Sequence, residues 1–202
     1  MLNEVRVQLK ESITEFKGTK EFKPFKMNSV FKDKELNLEE NNPRLKNSMK
    51  DYVKNKKWYV YDSVYGTSEE SDFIEMFDTI IADLEGKYTD IKLIRNERAL
   101  PIFDFQQGRR FEPDFILLLK DKNDNNINYQ FFIEPKGEHI KEFDKWKEDF
   151  LIGIKKLFKD KVIEYSLNER YKLVGLPFYS KQNEHDFKKK LIDVFSKQNK
   201  LQ

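Results

Sequence analysis

The sequence predicts an α/β fold, a mixed β-sheet flanked by helices, and three observations carry that prediction. Strand-length apolar runs and amphipathic helical stretches follow one another from about residue 59 to the end of the chain. The helical stretches repeat apolar residues at three- and four-residue spacing. Polar segments rich in Asn, Asp and Gly separate the runs, where turn chemistry is needed.

The elements are read in chain order. Residues 1–58 hold a brief alternation, "VRVQLKESI", a mixed apolar and basic stretch, "EFKPFKMNSVFKDKELNL", and a loop, "EENNPRLKN". They are expected to be an appendage or the tail of a neighbouring domain, with the folded domain over 59–202. "TSEESDFIEMFDTIIADLEG" predicts one helix carrying Phe73, Phe77, Ile80, Ile81 and Leu84 on a single face and stopped by Gly86. "DIKLIRNE" and "LPIFDF" read as strands, with "QQGRR" as a hairpin-like turn; "FEPDFILLL" and "INYQFFIE" follow as strands across the polar loop "KDKNDNN". "EHIKEFDKWKEDFLIGIKKLFK" predicts a long helix with Phe143, Trp146, Phe150, Leu151, Ile154, Leu157 and Phe158 as its apolar stripe. "RYKLVGLPFY" reads as a last strand. "NEHDFKKKLIDVFSK" reads as a closing helix with Phe187, Leu191, Val194 and Phe195 on one face.

Composition narrows the function classes. Hydrophobic residues make up 38% of the 202 and charged residues 37%, yet 18 Phe allow a sizeable core. The absence of cysteine excludes a disulfide framework and a thiolate zinc site, and fits the reducing cytoplasm expected for this chain. No apolar run approaches the ~20 residues of a membrane span, and "MLNEVRVQLKES" is not a signal peptide. A net charge of +2 does not mark a nucleic-acid binder, so any basic surface must be assembled by folding. Only His139 and His185 are present, which leaves carboxylates and lysines as the candidates for chemistry.

Those candidates stand at the ends of the two most apolar runs. Asp114 opens "DFILLL"; Glu134 and Lys136 close "QFFIEPKG". Residues two apart on a strand share a face, so Gln130, Glu134 and Lys136 project together. If the two runs pair as a hairpin, two carboxylates and one ammonium converge at one end of the sheet. Two carboxylates with a backbone carbonyl suit Mg²⁺, which keeps several of its waters. Such an ion activates water and stabilises a phosphoryl oxygen, and a neighbouring lysine serves the same reaction, phosphodiester hydrolysis. E-x-K alone is uninformative, since it occurs four times, at Glu15, Glu21, Glu85 and Glu134. Only the last closes an apolar strand, runs into an amphipathic helix and follows a Pro-Asp. The competing reading is that Asp114 and Glu134 are strand-end charges facing water.

"PDF" followed by "IEPKG" resembles the PD-(D/E)xK nuclease motif. The wider context "YGTSEESDF … FEPDFILLL … FFIEPKGEHIKEFDKWKEDFL" is similar to the C-terminal endonuclease domain of type III restriction enzymes and related DEAD/DEAH-box helicases, over roughly Trp58 to Phe158. The resemblance implies a restriction-endonuclease-like core with a central four-stranded mixed sheet, and magnesium-dependent DNA cleavage in which Mn²⁺ may substitute. It implies Asp114 and Glu134 as metal ligands, Lys136 as the catalytic lysine and the Pro135 carbonyl as a backbone ligand. The family glutamate on the preceding helix matches Glu70, although Thr67 and Glu70 also form a T-x-x-E capping box, and both readings stand. Arg109 and Arg110, in the turn beside the Pro-Asp strand, and Lys141 and Lys145, after the motif, are candidate phosphate contacts. For the two lysines, simple solvation of a helix competes. His139 is expected at the surface and Trp146 in the core.

No G-x-x-x-x-G-K-[ST] loop is present, so the ATP-driven motor of that family is missing from this chain, which reads as a nuclease domain of a longer protein or as a stand-alone relative, the N-terminal stretch favouring the former. The expected partners are therefore DNA, a helicase/ATPase region of the same full-length protein for which residues 1–58 would be linker, and a DNA-modification subunit. A nuclease-like fold used only for DNA binding or assembly, and an accessory domain with a coincidental motif, are the rivals. The coincidental motif predicts Asp114 and Glu134 far apart.

Overall fold

The computed structural model describes residues 21–22, 47–137, 142–159, 161–166 and 169–196. Its elements run β1 (Asn47–Ser48), α1 (Lys50–Val53), β2 (Tyr65–Gly66), α2 (Ser68–Asp78), α3 (Ile81–Glu85), β3 (Tyr88–Arg95), β4 (Ile102–Phe103), β5 (Arg110–Phe111), β6 (Phe115–Asp121), β7 (Ile127–Ile133), α4 (Lys145–Phe158), β8 (Ile163–Ser166), β9 (Glu169–Gly175) and α5 (Glu184–Ser196). The architecture is α/β, with a mixed five-stranded sheet ordered β3-β6-β7-β9-β8. Neighbours are antiparallel except β7 and β9, which run parallel because α4 carries the chain over the sheet between them.

The central sheet thus has five strands, not four. The added edge strand β8 comes from "IEYS", a stretch too short and too charged to announce itself. "LPIFDF" contributes nothing to this sheet. Its two-residue β4 pairs with β5 in a separate ribbon closed by the "QQGRR" turn, with Gly108 in the left-handed region.

Strand alternation divides the core in two. Leu93, Leu117, Phe131 and Val174 form a cross-strand row on one face, buried with Phe73 and Phe77 of α2, Leu84 of α3 and Phe187 and Leu191 of α5. Ile116 and Phe132 face the other way, against Phe150, Leu151, Ile154 and Phe158 of α4. Gly175 lies in register with Phe132, where a Cβ would run into the Leu151 carbonyl. Its missing side chain lets the α4 backbone lie directly on β9.

Two helical expectations need correction. The first helix is broken between α2 and α3. The Thr79 hydroxyl donates to the Met76 carbonyl at 2.6 Å, and the Thr79 and Ile80 N–H groups make i→i−3 bonds that tighten the turn. A β-branched triplet, Thr79-Ile80-Ile81, adds χ1 crowding at the same place. The second helix begins at Lys145, so Phe143 falls in the preceding turn, 84% exposed, and is not part of the buried stripe. Trp146, expected in the core, is half-buried at its margin. Phe187 and Leu191 are buried as expected.

Within the stretch read as an appendage, Met49, Val53 and Trp58 are part of the main core, and Phe22 packs against Phe105, Phe132 and Phe158. Among the described residues no helix is long and apolar enough to cross a membrane.

Candidate active site

β6 and β7 pair as neighbours. Their register runs from Lys120↔Asn128 to Phe115↔Ile133, and one step further brings Asp114 opposite Glu134. The contact is direct: the Asp114 N–H donates to Glu134 Oε2 at 2.9 Å. Both residues lie on the face covered by α4, two positions from Ile116 and Phe132 respectively, as alternation requires. Glu134 is 2% exposed. The rival reading of these residues as water-facing strand ends therefore fails for Glu134, and the pair is not far apart.

The segment that follows β9 secures the end of β7 from the other side. Tyr179 bridges Pro135: its N–H donates to the Glu134 carbonyl at 3.1 Å and its carbonyl accepts from the Lys136 N–H at 2.8 Å. With those two groups turned toward Tyr179, extended-chain alternation turns the Pro135 carbonyl to the β6 side, where Asp114 stands. Tyr179 is itself fully buried, its hydroxyl donating to the Asp72 carbonyl at 3.1 Å. On the β3 side Asn96 holds the entry to β6. Its amide donates to the Pro113 and Leu100 carbonyls, both at 2.9 Å, and its N–H to the Asp114 carbonyl at 2.8 Å.

Lys136 completes the cluster. Its ammonium lies 3.0 Å from Glu134 Oε1 and 3.3 Å from Asp144 Oδ2, and the Lys147 ammonium lies 2.9 Å from that same Asp144 oxygen. Burial pushes the Asp114 carboxyl well above the usual carboxylate range, and the neighbouring Glu134 and Glu70 carboxylates push it further. Burial also raises Glu134, against the pull of Lys136 and the Asp114 N–H. Burial works against the Lys136 charge, but Glu134, Asp114 and Asp144 outweigh it and hold Lys136 protonated. Three carboxyl groups here face two ammonium groups.

Glu70 caps its helix and pairs with Arg95. It accepts from the Thr67 N–H at 2.8 Å, Thr67 Oγ1 accepts from the Glu70 N–H in return, and Arg95 Nη2 reaches Glu70 Oε1 at 3.2 Å. The capping box is formed, and Glu70 bears on Asp114 only through its charge, which helps to raise the Asp114 carboxyl.

The remaining candidates are scattered. Arg109 is committed to its own loop. Its Nε donates to the buried Asp104 at 2.8 Å, and its guanidinium lies 4.1 Å from the Trp146 ring centre. Three backbone N–H groups, of Gln106, Gln107 and Arg109, converge on the same carboxylate and, against the cost of burial, lower Asp104 to about 2. Arg110 pairs with Glu112 at 2.5 Å. Lys145 is exposed on the first turn of α4. Lys141 and His139 lie outside the described residues. Gln130 is buried two strand positions inward from Phe132, with Nε2 lacking a hydrogen-bond partner among the described residues.

Sequence reasoning missed Asp144, Arg95, Asn96 and Tyr179. Asp144 had one signal, its position before the apolar stripe of α4. The others stand out only when their long-range partners are seen.

Among the described residues no group of three or more His, Cys, Asp and Glu side chains is gathered to hold a metal ion. Any cation here would rest on the Asp114–Glu134 pair, backbone oxygen and water. That donor set, two hard carboxylates and a backbone carbonyl, fits Mg²⁺ rather than zinc.

The geometry defines an α/β protein with an acidic pair, its Glu134 fully buried, and a lysine at one end of its sheet. The chain belongs to the HI_1054_C family, described as a C-terminal domain, whose match covers residues 15–201 and so takes in most of the stretch read as an appendage. It is similar to an uncharacterized protein of Haemophilus influenzae, 42% identical over 193 residues. That alignment covers 89% of this chain, and the chain spans 40% of the relative's length. No solved structure matches the chain.

Proposed function

We propose that this chain is a magnesium-dependent DNA endonuclease domain of the PD-(D/E)xK type, with a restriction-endonuclease-like core. The observation that carries the reading is the Asp114–Glu134 pair, hydrogen-bonded at adjacent strand ends with Lys136 upon it. Two like charges held together out of water are costly unless a cation answers them. Asp114, Glu134 and the Pro135 carbonyl would hold the ion, with Glu70 reaching it through water. A bound Mg²⁺, or Mn²⁺ in its place, supplies Lewis acidity to the attacking water and to a phosphoryl oxygen. Lys136 orients the water and offsets charge growing on the phosphate. Lys145 and Arg110, both exposed, and Lys141 serve as phosphate contacts, while Arg109 chiefly braces its loop.

The family's description as a C-terminal domain supports a chain that acts within a longer protein. So does the relative, more than half of which lies outside the match. A type III restriction-type helicase-nuclease, with an ATP-driven region on the same polypeptide and a modification subunit supplying sequence recognition, fits that arrangement in the cytoplasm.

The experiment is nicking of supercoiled plasmid by the purified chain in Mg²⁺ or Mn²⁺, with Asp114→Ala and Lys136→Ala beside it. Cleavage by the wild type and its loss in both variants is expected. Activity that survives both substitutions overturns the assignment. DNA binding without cleavage by the wild type favours the assembly-module reading instead.

A further inference from the structure

Asp144 stands immediately before α4, at the N-cap position, where aspartate is among the strongest capping residues. It makes no side-chain capping bond. Its Oδ2 instead takes the Lys136 ammonium at 3.3 Å and the Lys147 ammonium at 2.9 Å. The helix start therefore forgoes its cap, and the carboxylate is turned to the cluster. The Asp144 carboxyl is lowered from its ordinary value despite some burial, through Lys147 first and Lys136 after it. It is a full negative charge at neutral pH.

The need for a second carboxylate follows from the use made of the first. Glu134 is shared: Oε2 accepts from Asp114, and Oε1 holds Lys136. An ammonium resting on Glu134 alone would compete with any cation for that side chain. An ammonium left with no carboxylate would swing away on its flexible stem. Asp144 gives Lys136 a second carboxylate anchor beside Glu134.

We propose that Asp144 is the positioning residue for Lys136, sharing its ammonium with Glu134 so that Glu134 does not carry that charge alone when it takes a divalent cation. This rests on the proposed metal-dependent reading and adds a residue outside its motif. Asp144 acts on the reaction through Lys136 alone.

The test measures Mn²⁺ affinity by calorimetry, and plasmid cleavage, for the wild type, Asp144→Asn, Asp144→Glu, Lys136→Met and the Asp144→Asn/Lys136→Met double variant. Asp144→Asn keeps the shape and a capping group but throws Lys136 onto Glu134. Its Mn²⁺ affinity is expected to fall about fivefold, within the range for charges coupled in one network. Its cleavage rate should fall with DNA binding unchanged, and Asp144→Glu should restore much of both. In the Lys136→Met background Asp144→Asn should change Mn²⁺ affinity no further. An equal loss of affinity with and without Lys136 would show mere through-space attraction and overturn the proposal, as would unchanged affinity in Asp144→Asn. A wild type that binds no divalent cation removes the metal-dependent reading itself, and this inference with it. Urea midpoints separate these results from unfolding.

Discussion

Asp114→Asn should stabilise this protein at neutral pH. Asparagine is close in shape to the protonated acid, so the substitution removes the charge and little else. In the folded state the Asp114 carboxyl is held well above the usual carboxylate range, by burial first and by Glu134 and Glu70 next. The sign follows from linkage: a carboxyl that holds its proton more tightly when folded contributes stability fully present below the unfolded value. That stability is lost as pH rises through the folded value. For a chain of 202 residues, about 1 kcal/mol moves Tm by roughly 2–4 °C. The gap between variant and wild type should be near zero around pH 4. It should widen as pH rises through the folded value, read as a Tm of the variant that climbs above that of the wild type. The assay is urea unfolding from pH 4 to pH 8.5 in chelator, with Tm beside it. A gap that is flat with pH, or a variant less stable at pH 8, refutes the argument that Asp114 is charged at the expense of the fold. Under the proposed function, millimolar Mg²⁺ should stabilise the wild type and leave the variant unmoved.

Three further outcomes follow from particular contacts. Lys136→Met removes the ammonium lying on Glu134, so it should abolish cleavage while binding Mn²⁺ more tightly, by about tenfold if a coupling of ~1.4 kcal/mol is freed; calorimetry reads the affinity. Arg95→Met leaves the buried Glu70 carboxylate without its guanidinium and should cost about 3–5 kcal/mol, most of it recovered in the Arg95→Met/Glu70→Gln pair, as denaturant midpoints will show. Gly175→Ala forces a Cβ against the Leu151 carbonyl and should lower stability by about 1–3 kcal/mol or more, because backbone cannot step aside as a flexible side chain would. A neutral Gly175→Ala would mean that α4 does not rest on β9 there.

The hairpin bearing the candidate site was legible because alternation is a local property. "FEPDFILLL" and "INYQFFIE" each specify which side chains share a face, and a short polar loop makes antiparallel neighbours of them. Asp114 and Glu134 then meet by register alone. The helix break at Thr79 was missed because a good 3.6-residue pattern runs straight through it, and one hydroxyl bonded to Met76 tightens it locally. Phe143 fits the α4 stripe on paper, but the helix begins two residues too late to bury it.

The sequence by itself determined the α/β class, the β6–β7 hairpin and which carboxylates and lysine would stand at its end, because these depend on spacing within two adjacent segments. Only the tertiary structure decided how the charges are balanced. Asp144, Arg95 and Tyr179 reach the cluster from other elements, and whether a carboxylate caps a helix or holds a lysine depends on what packs beside it. The number of strands was likewise a tertiary matter. β8 is a short edge with little apolar pattern of its own, and it becomes a strand because β9 offers it a row of backbone groups to pair.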